Sequence, residues 1–191
     1  MNNPFEREHY GEVVSIEDNL LSLEQYIELL QPKAELIPAM NAASVVFVPA
    51  GIPHNPAAFP VGILDFYQYC KKEMGDDIAY CSTLNMQTIE LCSSQLRLGK
   101  FLVKDVALPI FLGLIVNYTS YKMQNHMESE PTKIEAQYLE EPSVSFTVTV
   151  VDSADVQSKT YSYEGPMSGI QEAGKTIEKL WQDEKRKGNT K

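Results

Sequence analysis

The sequence predicts an α/β fold: a single mixed-sheet domain with a parallel βαβ start, an antiparallel hairpin near the C-terminus and helices on both faces. Three stretches carry that expectation. SVVFV, residues 44–48, is an unbroken β-branched and aromatic run, as a strand covered on both faces requires. A helix-patterned segment and a second short apolar run follow it, which is the order of a βαβ unit. SVSFTVTVV, residues 143–151, alternates apolar and polar side chains, and a polar turn separates it from KTYSYEG. That pair reads as a hairpin with one half-exposed face.

The elements follow in order. Residues 1–14 are polar and read as an extended tail. SLEQYIELLQP predicts a helix: Ser22 and Gln25 have capping-box spacing and Pro32 stops it. After the first strand, PAGIPHNPAAFP holds four prolines between Pro49 and Pro60, a density that suits an ordered loop. VGILDFYQYCKKEMG then gives a helix with an apolar stripe through Ile63, Phe66 and Cys70, and with Gly75 in the C-cap position. DIAYCST predicts the second, parallel strand. MQTIELCSSQLRLG, ending near Gly99, reads as a further amphipathic helix. An apolar helix starts at Pro109, and a polar connection is expected between Gln124 and Pro131. KIEAQYLE reads as a strand, and a last helix runs from Pro166 to about Glu184. One domain over residues 1–191 is expected, with 1–14 and 185–191 as flexible tails.

Composition narrows the function. The 191 residues carry a formal net charge of -10, so nucleic acid is not expected as a direct partner. No apolar stretch follows the opening MNNPFEREHYGE, so no secretory signal is read there. Cys70, Cys81 and Cys92 are widely spaced and odd in number, which fits buried reduced thiols in a cytoplasmic protein. No zinc-ligand spacing is present, and no metal or cofactor is expected. Residues 106–121 carry no charge but are short for a bilayer span. They read as a core helix, with membrane contact as the competing role.

One motif stands out. GIQEAGKT, residues 169–176, fits the phosphate-cradling pattern G-x-x-x-x-G-K-[ST]. However, Ile170, Ala173, Ile177, Leu180 and Trp181 recur at helical spacing straight through it. Amides bonded inside a helix cannot grip a phosphate, so a decoy is expected. Just upstream, Gly165, Ser168 and Gly169 sit where the strand gives way to the helix N-terminus. They are candidate anion contacts, with plain helix capping as the simpler role.

The other candidate site is the proline loop. Ligands gather at the C-terminal ends of parallel strands, which puts Gly51, His54 and Asn55 at a ligand or partner loop. His54 could act as a base, oriented by Asp65 or Glu90, or could simply satisfy a local hydrogen bond. No catalytic set is assembled by spacing. The leading expectation is therefore a non-catalytic interaction or assembly subunit, partnered by another protein or by a second copy of itself. The alternative is a small enzyme, such as a hydrolase, or a small-molecule or nucleotide-binding domain using the loop after residue 48. A peripheral membrane protein is the third reading, and no membrane span is expected.

Overall fold

Strand β2 (Val45–Val48) is buried along its whole length, as its uninterrupted apolar sequence requires. It pairs in parallel with β4 (Ile78–Tyr80) on one side and antiparallel with β6 (Leu96–Lys104) on the other. The computed structural model describes residues 13–19, 24, 25, 28, 31–50, 58–60, 62–81, 87–89, 95–129, 142–152 and 158–188. Within them a six-stranded mixed sheet has the order β1-β8-β7-β6-β2-β4. The remaining sheet strands are β1 (Val13–Asn19), β7 (Ser143–Val151) and β8 (Ser158–Pro166). Two further three-residue strands, β3 (Ala58–Pro60) and β5 (Gln87–Ile89), pair in parallel as a separate small sheet.

The βαβ start is present as expected. Helix α2 (Ile63–Met74) joins β2 to β4 and ends at Gly75, whose φ of 60° is the left-handed stop that glycine adopts without strain. Helix α1 (Ile37–Ala42), which the sequence did not signal, precedes β2. The hairpin is present too, with Ser143 facing Pro166 and Val151 facing Ser158. Helix α3 (Leu108–Ser129) links the parallel strands β6 and β7, and α4 (Ile170–Gly188) closes the fold after a short 3-10 turn.

The main core lies between one sheet face and α2, α3 and α4. At its centre Phe47, Phe66, Phe101 and Phe111 all contact one another, with ring centroids 4.8 to 6.1 Å apart. The opposite face is covered by α1 over β6, β2 and β4, where Met40, Val46, Val48, Ala79 and Leu102 cluster. Lys104 fastens that cover by donating to the carbonyls of Asn41 and Ala42 at the end of α1.

Several expectations need correction. The helix expected over residues 86–99 is replaced, where it is described, by β5 and by β6, whose pairing with both β2 and β7 overrides the helical spacing. The connection expected after Gln124 is still helix, because α3 continues to Ser129. The first tail ends earlier than expected, since Val13 and Val14 begin β1 against β8. Residues 185–188 complete α4, and Lys185 is ion-paired to Asp105. Of the helix expected at residues 22–32, Glu24, Gln25 and Glu28 are helical. The strand expected at KIEAQYLE lies outside the described residues.

Candidate functional site

A cleft of about 250 Å³ opens on the sheet face opposite the main helix layer. Its walls come from separate parts of the chain: Ala50 and β3 on one side, β6, β7 and β8 on the other. Ala50 donates its N–H to the Ala58 carbonyl at 3.0 Å, which ties together the two ends of the proline loop. Gly51, His54 and Asn55 themselves lie outside the described residues. The cleft therefore sits where the chain leaves β2, the end of the strand at which a ligand loop was expected.

A bulge builds the charged wall. Regular alternation would put Arg97 and Lys100, three residues apart, on opposite faces of β6. The register with β7 slips between Arg97 and Gly99, leaving Leu98 as an extra residue. Arg97 then pairs with Ser145, and Lys100 with Thr147, two positions that share a face. Gly99 makes the slip possible. Its φ is 102°, and a Cβ there would come within 2.8 Å of Ile63 Cδ1.

Hydroxyls line the floor. Thr147 and Ser162 join their Oγ atoms at 3.0 Å, and Thr149 and Thr160 do so at 2.8 Å further along the hairpin. Glu164 stands beside Ser145 and accepts a hydrogen bond from Gln95 Nε2 at 3.0 Å. Ala58, Phe59 and Pro60 add an apolar edge. Tyr163 touches the cleft, but its hydroxyl donates to the Pro166 carbonyl at 2.8 Å. The polar lining thus combines two cations, hydroxyls and one carboxylate. No nucleophile and base are aligned in it among the described residues.

At the second candidate site, Gly165, Ser168 and Gly169 lie where β8 passes through a 3-10 turn into α4. A Cβ on Gly165 would lie 2.8 Å from the Tyr163 hydroxyl, so the glycine makes room for that hydrogen bond. Met167 donates its N–H to Pro142, and Ile170 donates its N–H to Met167, so two amides near Ser168 and Gly169 are already engaged. The glycine-lysine motif lies within the 3-10 turn and α4. A Cβ on Gly174 would lie 3.8 Å from Val116 Cγ2, and Lys175 pairs with Glu172 at 3.8 Å. The cradle it spells is not built.

Other titratable side chains have local partners or are buried where they are described. Asp65 is exposed and faces Lys122 of α3 at 3.6 Å. Asp76 pairs with Lys71 at 3.0 Å, and the Asp77 carbonyl accepts the Ser44 amide. Cys70 and Cys81 are free and buried, and burial pushes their thiols up to about 12 and about 11. Among the described residues, no group of His, Cys, Asp and Glu could hold a metal ion.

A second surface lies on α3. Phe111, Leu112, Ile115 and Tyr118 face inward, while Val106, just before the helix, is 73 % exposed and Ile110 and Tyr121 are 61 % and 54 % exposed. Pro109, Gly113 and Asn117 complete an outward strip at helical spacing with no charge in it. By length and composition alone, residues 105–125 could cross a membrane, and 44 % of the apolar window is buried inside the protein.

Sequence reasoning missed Arg97 and Lys100 because helical spacing runs through Arg97 to Gly99, immediately before Lys100, and hides the strand that carries both. The polar face of β7, with Ser145 and Thr147, was legible from its alternation.

The fold and these two surfaces define a mixed α/β domain with a polar cleft and an uncharged helix face. Comparison with protein-family models, with curated proteins and with solved structures found no match for this chain.

Proposed function

We propose that the protein is a non-catalytic assembly subunit that pairs with a second copy of itself through the outward strip of α3. The uncharged strip carries this reading. Two copies of a chain with net charge -10 repel each other, and an uncharged, self-complementary face lets them meet with least repulsion. The inward side of α3 is already committed to the core, so only the outward side is open to a partner. Exposed apolar residues in a row along a helix support an interface more than a solvated surface does. The buried free thiols of Cys70 and Cys81 support a reducing compartment such as the cytoplasm.

Light scattering tests the reading. The expected mass is about twice the 21.5 kDa of one chain, falling to that of one chain in Ile110→Glu. A wild type that stays monomeric at tens of micromolar would count against it.

A second reading is favoured by the cleft: a small-molecule-binding domain working at the end of β2. The two roles are compatible, because the cleft lies on the sheet face away from α3.

A further inference from the structure

We infer that the cleft is a site for a small organic phosphate monoester, an inference that rests on the ligand-binding reading above. The first support is placement. The β6 bulge brings Arg97 and Lys100 to the same face, beside Ser145 and Thr147 of β7. Neither cation has an ion-pair partner among the described residues. A phosphate monoester carries close to two negative charges near neutral pH, which matches two cations better than a single carboxylate does.

The hydroxyls give the second support. Ser145, Thr147 and Ser162 line the same cleft, and the Thr147–Ser162 bond uses only one of that pair's two hydroxyl protons. The other proton and that of Ser145 can be donated to phosphate oxygens. The third support is the apolar edge of Ala50, Ala58, Phe59 and Pro60, which suits a ligand with a carbon body. Size agrees, since about 250 Å³ holds a small molecule and not a dinucleotide. Glu164 leaves the cleft with a formal charge of only +1. Its removal therefore strengthens anion binding.

Calorimetry of the full chain with phenyl phosphate, benzoate and benzyl alcohol tests the assignment. Phenyl phosphate is expected to bind most tightly, to weaken at least about tenfold in Arg97→Met/Lys100→Met, and to tighten in Glu164→Gln. Both replaced cations are exposed, so the double variant keeps its fold, and an unchanged circular dichroism spectrum checks that. Lys175→Met, on α4 and outside the cleft, is expected to leave affinity unchanged. Equal affinity for phenyl phosphate in wild type and double variant would overturn the inference. If benzoate or benzyl alcohol binds and phenyl phosphate does not, the phosphate assignment falls while the ligand-binding reading stands. If none of the three binds at millimolar concentration, both fall.

Discussion

The Tyr163 hydroxyl reaches the Pro166 carbonyl at 2.8 Å by passing over Gly165, whose missing side chain makes the room. The ring is buried, so it cannot swing aside if a methyl group arrives. Gly165→Ala is therefore expected to destabilise the protein by about 1–3 kcal/mol through overpacking. Tyr163→Phe alone should cost about 0.5–1.5 kcal/mol, the value of one hydrogen bond. Because the clash is with the hydroxyl, the double variant should cost less than the sum of the two. Urea unfolding of the four proteins checks this; strict additivity would mean the glycine serves something else.

Gly99 carries the bulge that aligns the two cations of the cleft. An alanine there meets both a φ of 102° and the Ile63 side chain at 2.8 Å. Gly99→Ala is expected to cost about 1–3 kcal/mol from backbone strain. Phenyl phosphate affinity should fall with it, although the substitution touches no charged group. Unchanged stability would show that β6 can flatten without loss, and the bulge would then explain nothing about the cleft.

The hairpin, the βαβ start and the C-terminal helix were legible because each keeps one uninterrupted pattern. Ile170, Ala173, Ile177 and Trp181 are all buried, so the helical stripe outweighed the eight-letter motif written across it. Strand β6 was illegible for the reason that makes it interesting. Its bulge breaks the alternation of LRLGKFLVK, and a broken period two resembles period 3.6 over a short window. Strand β1, VVSIEDN, has too little apolar content to announce itself and is held by its pairing with β8. Both cations of the cleft, Arg97 and Lys100, were therefore hidden together with β6.

The nucleotide motif yields a direct expectation. Lys175 sits in α4 with its amide inside the helix and its ammonium beside Glu172. Titration with ATP or GTP and magnesium should give no Lys175-dependent heat. Micromolar binding that disappears in Lys175→Ala would contradict the helical assignment.

The buried thiols set a pH dependence. Burial raises Cys70 to about 12 and Cys81 to about 11, above the ordinary thiol value of 9.0. The folded chain therefore holds these protons after the unfolded chain has lost them. The stabilising contribution is complete below pH 9 and declines as pH rises through the folded values. Mass-mapped alkylation at pH 8 should leave both residues unmodified in the native protein and modify both in denaturant. Rapid native labelling of Cys70 would show that its place in the main core is wrong.

The pairing of two copies through α3 is tested most directly by a cysteine at its outward centre. A side chain at position 113 meets no other atom within 4 Å, so Gly113→Cys adds a thiol without disturbing the core. Under mild oxidation that variant is expected to form a disulfide-linked dimer rapidly, and Lys179→Cys on α4 only slowly. Equal rates of cross-linking at the two positions, or none at position 113, would contradict assembly through this face.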